Sequence, residues 1–444
     1  MNTTEVEAVE ERLSAPELWE SWAVLSEEEK IEGFRMLRRP EREDFFLELP
    51  SRDQATLVER LPPEQRRSWL RLLAPDDAAD VIQHVPPEER DGWLALLDQV
   101  TRRDVSALLA YAEDDAGGLM SPRFARVRPD MSVDEAITYL RKQARQRVET
   151  IYYAYVLGPD QRLLGVVSFR DLFTARPEQR VDDVMIRDLV VARDTMDQEE
   201  MSRLFAQHDL IAIPVVDDEG RMKGLVTVDD IVDVVQEEAT EDIQRLGGSE
   251  ALDAPYLVVT LPHMIRKRAI WLAVLFLGEM LTATAMGHFE EEIAKAVVLA
   301  LFVPLIISSG GNSGSQATTL VIRAMALGEV KLRDWWRVAR REVVAGLALG
   351  VILGAIGVMR ILVWHELFGM YGDHAIAVAL TVGLSLVGVV LWGCLAGSML
   401  PFVLRRVGLD PASASAPFVA TLVDVSGLVI YFSVASFVLG GRLL

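Results

Sequence analysis

The stretch Arg266-Lys267-Arg268-Ala269-Ile270-Trp271-Leu272-Ala273-Val274-Leu275-Phe276-Leu277-Gly278-Glu279-Met280-Leu281-Thr282-Ala283-Thr284-Ala285-Met286 divides the chain into two kinds of protein. Three basic residues precede eighteen that carry a single charge, Glu279. An apolar run of that length is what a helix needs to cross a bilayer. Further apolar runs follow, at roughly Ile293–Ile307 with a polar continuation, Glu342–Val363, Ala375–Leu400 and Phe418–Leu439. Buried helices of a large soluble protein are the competing explanation. Several such runs in succession with so few internal charges favour five membrane spans.

Basic residues set the orientation. Arg266, Lys267 and Arg268 precede span one, Arg323, Lys331, Arg333, Arg337, Arg340 and Arg341 lie between spans two and three, and Arg405 and Arg406 lie between four and five. The alternate loops carry Glu290, Glu291 and Glu292, or Glu366 and Asp373. Positively charged loops remain on the cytoplasmic side, which places the N-terminal part in the cytoplasm and the C-terminus outside.

Ahead of the spans the composition changes. The 444 residues hold 66 acids and 45 bases, a net charge of −21, yet residues 251 onward contribute 14 bases and 12 acids. The first 250 residues therefore hold 31 bases and 54 acids. Such acidity excludes a generic nucleic-acid binder and points to cations as partners. A lone cysteine, Cys394, excludes a disulfide framework and a CxxC metal site. The polar, acidic opening from Met1 to Glu11 carries no secretory signal pattern. No Walker motif, Ser-His-Asp set or histidine cluster is evident, so the expectation is a protein that is not an enzyme.

Residues 1–115 read as helical. Leu61-Pro62-Pro63-Glu64 with Trp69 and Leu70 recurs 24 residues later as Val85-Pro86-Pro87-Glu88 with Trp93 and Leu94. Pro-Pro-Glu ahead of an apolar run signals a helix start, and two repeats suggest a small domain of stacked helices. A second repeat follows. Leu163-Leu164-Gly165-Val166-Val167-Ser168-Phe169-Arg170-Asp171 matches Arg221-Met222-Lys223-Gly224-Leu225-Val226-Thr227-Val228-Asp229-Asp230, with the glycines 59 residues apart. Each unit reads strand, turn, strand, helix. This resembles a tandem pair of cystathionine β-synthase (CBS) domains. The Ser168-x-x-Asp171 and Thr227-x-x-Asp230 endings fit either a nucleotide contact or helix N-capping.

The second unit runs into Asp229, Asp230, Asp233, Glu237, Glu238, Glu241 and Asp242. Spacing by four aligns Asp229, Asp233, Glu237 and Glu241 in one anionic stripe on a helix, at a cost of roughly 0.2–0.5 kcal/mol per like-charged pair. Ile231, Val232, Val234, Val235 and Ile243 supply the apolar support. No basic run in the extramembrane part is positioned by sequence to neutralise the stripe. It is either a solvated face or a surface that divalent cations bridge, and Mg2+, a hard ion that keeps much of its water, suits carboxylates of this kind.

Two elements inside the spans carry further chemistry. Span two continues as Pro304-Leu305-Ile306-Ile307-Ser308-Ser309-Gly310-Gly311-Asn312-Ser313-Gly314-Ser315-Gln316-Ala317-Thr318-Thr319, whose glycines and hydroxyls suggest irregular polar backbone lining a cavity. Gly346, Gly350 and Gly354 of span three read instead as helix packing. Asp424, in Ala420-Thr421-Leu422-Val423-Asp424-Val425-Ser426-Gly427, is the one charge between Asp410 and Arg442. An acid at that depth is costly, so it faces a cavity, a cation or a proton path. Glu279 lines a vestibule or bonds across helices.

Pro304–Gln316 and Ala420–Gly427 are similar to signatures of the MgtE family of magnesium channels, as are Ala116-Gly117-Gly118-Leu119-Met120 and Glu238-Ala239-Thr240-Glu241-Asp242-Ile243. The likeness covers essentially the whole chain in the same domain order. It implies a multidomain fold: an all-α superhelical N-terminal domain (1–120), an α+β tandem CBS pair (121–183 and 184–240), an acidic connecting or plug helix with its linker (229–262), and an all-α transmembrane domain of five helices (263–444).

The resemblance further implies a homodimer with a central pore lined by spans two and five of both subunits. Asp424 would be the main pore ligand for hydrated Mg2+, with Asn312 and the carbonyl of Ala420 nearby. Regulatory Mg2+ would be held by Asp197, Glu199, Ala206, Asp209, Asp230, Asp233, Glu238 and Glu241, joined by Asp76, Asp80 and Gly118. Arg170 and Asp171 would meet ATP or another adenine nucleotide. The expected function is passive, magnesium-selective uptake across the bacterial inner membrane, driven by the membrane potential and closed by cytosolic Mg2+. The expected partners are Mg2+, the lipid bilayer and a second copy, without nucleic acid. One departure stands out: the family carries an Asn before the span-five proline, where this chain has Ala416 ahead of Pro417. Two rivals remain, a proton-coupled or broader transporter of Co2+, Mn2+ or Ni2+ and a membrane-anchored CBS nucleotide sensor. An anchor alone has no need of Asp424 or of the polar segment in span two.

Overall fold

A computed structural model of the chain describes residues 14–144, 152–252, 254–290 and 297–439. The opening from Met1 to Glu11, the loop acids Glu291 and Glu292, the expected start of span two at Ile293, and Arg442 lie outside the described residues. The chain forms two compact units, Met1–Glu237 and Glu238–Leu444.

The first unit opens with Ala15–Ser21, followed by a ladder of short helices. Its rungs are Glu27–Met36, Arg39–Glu48, Ser51–Arg60, Pro63–Leu70, Pro75–Gln83, Pro87–Leu94 and Gln99–Leu108, each starting twelve residues after the last. Leu37, Leu49, Leu61, Leu73, Val85 and Leu97 share that period, and all six are buried where one rung turns into the next. Proline stands in the first turn of four rungs, where its missing N–H costs nothing. Arginines clamp several of these turns: Arg42 donates to the Leu37 carbonyl at 3.2 Å, Arg66 to Leu61 at 3.0 Å, Arg90 to Val85 at 3.0 Å and Arg102 to Leu97 at 3.1 Å. The 24-residue repeat visible in sequence is thus two rungs of a longer series, and the expectation of only two repeats is corrected.

The CBS pair contains two sheets of identical topology. Arg126–Val127 (β1), Tyr153–Leu157 (β2) and Leu163–Ser168 (β3) form the first, and Ala192–Arg193 (β4), Ala212–Val216 (β5) and Met222–Thr227 (β6) the second. In each, the short strand runs parallel to the middle one and the last pair is an antiparallel hairpin. The halves exchange cover. A Cβ on Gly165 would meet the Ile186 carbonyl at 2.8 Å, and one on Gly224 would meet the Ser121 carbonyl at 2.7 Å. The segment that enters each half therefore crosses the other half's strand, and only glycine leaves room. The second sheet shares one apolar core with the ladder, through Met201, Phe205, Ile213 and Ile231, whereas the first sheet has its own.

The acidic stripe lies on one helix, Val228–Leu246. Of its expected apolar support, Ile231 and Val234 are buried, while Val232, Val235 and Ile243 are exposed.

Five helices of the second unit are long and apolar enough to cross a membrane: Leu261–His288, Val297–Ala326, Leu332–Phe368, Ala375–Arg406 and Ala416–Leu439, spans one to five. Span four is central and packs on spans two, three and five. Its contacts are made by missing side chains. A Cβ on Gly393 would lie 2.3 Å from the Gly310 carbonyl, and one on Gly397 would lie 2.2 Å from that of Gly314. Gly346, Gly350 and Gly354 of span three lie against span four, as expected of packing glycines.

Candidate ion pathway and acidic clusters

Residues 303–326 form one regular helix, so the polar stretch of span two is not the irregular backbone expected from its glycines. Helical periodicity gives it two faces. Gly310 and Gly314 are buried against span four, whereas Ser308, Asn312, Gln316 and Thr319 are exposed on another face. Backbone bonds within the helix are met along its length, which leaves side chains as the polar groups of this row. Asn312 donates to Ser308 Oγ at 3.4 Å and Thr319 to the Ser315 carbonyl at 2.9 Å.

Span five lies beside this row. A Cβ on Gly311 would touch Ala420 at 3.6 Å, and Ser315 Oγ donates to the Ala416 carbonyl at 3.2 Å. The backbone at Ala416 thus engages a polar group where the family's Asn is absent. Asp424 is half-buried one turn beyond Ala420. Span one approaches from the other side, with Gly278 against Thr421, and brings Glu279 within electrostatic reach of Asp424. Trp392 of span four donates to Ser426 Oγ at 2.7 Å, and the buried Tyr431 hydroxyl to the Leu299 carbonyl at 2.8 Å. These bonds fix the rotation of span five about its axis. Of the three residues expected near one another, Ala420 lies against Gly311 of span two, the residue before Asn312, and Asp424 follows one turn later on span five.

The first unit gathers acids at the ladder. Burial, then the charges of Asp77, Glu113, Asp230 and Glu237, push the Asp80 carboxyl up to about 8. Asp77 is raised by burial and by Asp229. The structure therefore brings the expected Asp80 and Asp230 together. The Asp76 carboxyl is buried and accepts from Ser121 Oγ at 3.4 Å. Sequence reasoning passed over Asp77 and Glu113. Asp77 directly follows Asp76, and both lie within one helical turn of Asp80, so spacing alone does not choose between them. Asp233 is also raised, by burial and then by Asp229.

The remaining expected ligands fall in separate places. Asp197 caps the helix Gln198–His208, accepting from Glu199 N at 2.9 Å, while Asp209 ends it in the left-handed conformation beyond exposed Ala206. These ends are about 18 Å apart at 1.5 Å per residue, too far to share one ion. Gly118 is buried so tightly that a Cβ would meet the Ala112 carbonyl at 2.4 Å. Asp171 and Asp230 both cap: Ser168 Oγ donates to Asp171 at 2.5 Å and Thr227 Oγ1 to Asp230 at 2.7 Å. Arg170 is exposed beside the first of these caps.

Glu241, in the second unit, pairs with Arg245 one turn along the same helix, and Arg245 also pairs with Asp410. One basic residue, Arg245, therefore meets the end of the stripe, although no basic run faces it. Among the described residues, no three His, Cys, Asp or Glu side chains stand together as a set that could hold a metal ion directly.

Comparison with known proteins places this arrangement. The family model described as a divalent cation transporter, MgtE, matches residues 303–434, the MgtE intracellular N domain matches 13–114, and CBS domains match 116–178 and 181–237. The magnesium transporter MgtE of Thermus thermophilus is 44% identical over 342 residues, covering 77% of this chain and 74% of its own length. This chain belongs to the MgtE family. The Enterococcus faecalis magnesium transporter MgtE is 32% identical over 337 residues, covering 75% of this chain and 71% of its own. A crystal structure of the cytosolic domain of the Mg2+ channel MgtE in complex with ATP is 40% identical, covers 50% of this chain and 91% of that one, and superimposes with a TM-score of 0.46. Like other MgtE proteins, this one is a multi-pass membrane transporter and not an enzyme.

Proposed function

We propose that the protein is a passive, magnesium-selective channel of the bacterial inner membrane, formed by two copies and closed by cytosolic Mg2+. The observation that carries this reading is the exposed row Ser308, Asn312, Gln316 and Thr319 on span two, together with Asp424 on span five, which packs against span two. Exposed to lipid, such a row would leave polar groups unsatisfied. A second copy related by a two-fold axis, bringing the same faces of spans two and five together, turns it into a wet cavity with two Asp424 carboxylates. The relatives' names supply the ion.

Selection follows from charge and diameter. Mg2+ holds its water reluctantly released, so a carboxylate pair reads the hydrated ion rather than stripping it. Asn312 and the Ala420 backbone would contact its water shell. With the N-terminal unit in the cytoplasm and the C-terminus outside, an inward-negative potential drives the ion by about 4.6 kcal/mol per 100 mV, twice the single-charge value.

Closure rests on the acids of the extramembrane regions. Asp77, Glu113, Asp230 and Glu237 lie within electrostatic reach of Asp80, and repulsion among these five acids favours separation when cations are scarce. Their donor set, oxygen alone, fits a hard divalent ion held partly through water. Asp80, Asp230 and Asp233, with Asp197, Glu199, Ala206, Asp209, Gly118, Asp76 and Glu238 as further expected sites, would bind regulatory Mg2+ within the domain division given above, whereas Glu241 is engaged by Arg245. The ion must bind the closed arrangement more tightly, or it shifts nothing. An adenine nucleotide would meet Arg170, since Asp171 is already engaged by Ser168; titration calorimetry with ATP on the parent and Arg170→Ala tests this.

Flux of Mg2+ into liposomes is the decisive measurement. Asp424→Ala is expected to reduce it to the protein-free background, and undiminished flux refutes the pore assignment. Glu279 beside Asp424 gives specific support to one other reading, proton coupling between paired carboxyls. In that case flux depends on an imposed proton gradient at fixed membrane potential; a passive channel is indifferent to it.

A further inference from the structure

The acidic helix ends in a set of contacts that the ion pathway and the acid clusters do not use. Arg245 pairs with Glu241 on its own helix and with Asp410 in the loop between spans four and five. Asp410 is bound at both oxygens. Oδ2 takes Arg245, and Oδ1 accepts from Ala412 N at 2.9 Å, capping the turn Pro411–Ser413 that leads into span five. Apolar contacts close around the pair: Leu246 packs against Ile322 of span two and against buried Ala412 and Ala414. Two residues on, Gly248 adopts φ +72 with its α-carbon facing Pro417 of span five and Trp271 of span one. Gln244 then ties the linker, its side chain accepting from Leu252 N at 2.7 Å.

The contacts of Arg245 and Leu246 fall on the loop that leads into span five, and Gly248 meets its first turn at Pro417. Asp424 follows about 12 Å further along the same helix, on an element whose rotation is fixed by Trp392 and Tyr431. A rigid helix transmits a shift of its first turn to the groups two turns on. Arg245 is a fixed cation between two carboxylates on different elements, and it is suited to this because its planar fork can serve both at once.

We propose that Arg245 is a positioning residue of the ion pathway: by bridging Glu241 to Asp410 it couples the acidic helix to the start of span five and so to the placement of Asp424. The inference rests on the reading of a channel closed by cytosolic Mg2+. Arg245 does not sense the ion; it carries the response of the acidic helix to the pore. Glu241, held by a guanidinium, accordingly acts in this linkage as an anchoring carboxylate.

The test uses the full chain in liposomes, with two readouts: the Mg2+ concentration that half-inhibits flux, and the rise in thermal midpoint that Mg2+ produces in detergent. Asp410→Asn keeps an oxygen to cap Ala412 and removes the charge that Arg245 needs. It is expected to raise the half-inhibiting concentration by about fivefold or more, the scale of an allosteric coupling, while the Mg2+-induced thermal shift stays at the parent value. Arg245→Ala should do the same, and Arg245→Lys should restore part of the inhibition. Inhibition of the Asp410→Asn protein at the parent concentration overturns the coupling alone. A parent protein that Mg2+ does not inhibit overturns the gating reading and this inference with it. A thermal shift lost together with inhibition makes the contact part of the sensor and also refutes the proposal.

Discussion

Leu73 in the first unit and Gly393 in the second each mark where neighbouring helices meet, and they do it by opposite means. Leu73 fills the turn between two rungs of the ladder with a buried side chain. Gly393 lets the backbone of span two come so near that even a methyl group would collide. In water, burial of apolar area drives association, so the ladder repeats large side chains. In lipid that drive is absent and close backbone contact replaces it. Charge follows the same division. The first unit brings four carboxylates within electrostatic reach of Asp80, whereas span five carries one acid, Asp424, in an apolar run. Many acids near water can share the burden of a bound ion; one acid in a membrane has to be part of the path.

The comparison can be broken at several points. The largest effect is expected at the isolated acid: Asp424→Glu, which keeps the charge and moves it outward, should retain measurable Mg2+ flux in liposomes, while Asp424→Asn should retain none. Equal flux from the two would remove the special status of the charge. Next is Leu73→Ala, expected to destabilise the first unit by about 2–5 kcal/mol, as for other buried leucines, read by denaturant unfolding of the full chain. Gly393→Val should cost about 1–3 kcal/mol through overpacking and lower the thermal midpoint in detergent. Gly311→Ala, whose added methyl meets only ordinary contacts at 3.6 Å, is the control and should leave it unchanged. If both glycine substitutions are tolerated, the bundle is not held as described.

The smallest effect belongs to the crowded acids. Asp80 holds its proton up to about 8 in the folded chain, well above the ordinary carboxylate range, through burial and the charges of Asp77, Glu113, Asp230 and Glu237. A raised acid favours the folded state at low pH, and that contribution is lost as pH rises from about 4 through about 8. Metal-free protein should therefore lose thermal stability across this window, less steeply in Asp80→Asn. Mg2+ should restore the parent near pH 8 and affect the variant less.

Much of this was legible in the residues. Five spans, the CBS repeat and Asp424 are written as long apolar runs, paired glycines and a lone charge, each a local signal. The polar segment of span two was legible in composition but not in form: its glycines suggested broken backbone, and only the neighbouring glycines of span four explain why a straight helix needs them. The ladder was half-read, because the 24-residue match is carried by prolines and tryptophans while the twelve-residue period is carried by single apolar residues separated by polar ones. Asp76 and Asp77 could not be ranked from sequence, since which one turns inward depends on Ser121, 45 residues away. Arg245 was invisible for the same reason, its partner lying 165 residues downstream.

The twelve-residue register also quantises length. Arg42, Arg66, Arg90 and Arg102 each reach a carbonyl five residues back, so a deletion or insertion of one whole rung of twelve residues carries every clamp along with its own carbonyl. The ladder can be made longer or shorter in whole steps without rewriting either end. Its length is a countable quantity, fixed by how many rungs the chain carries.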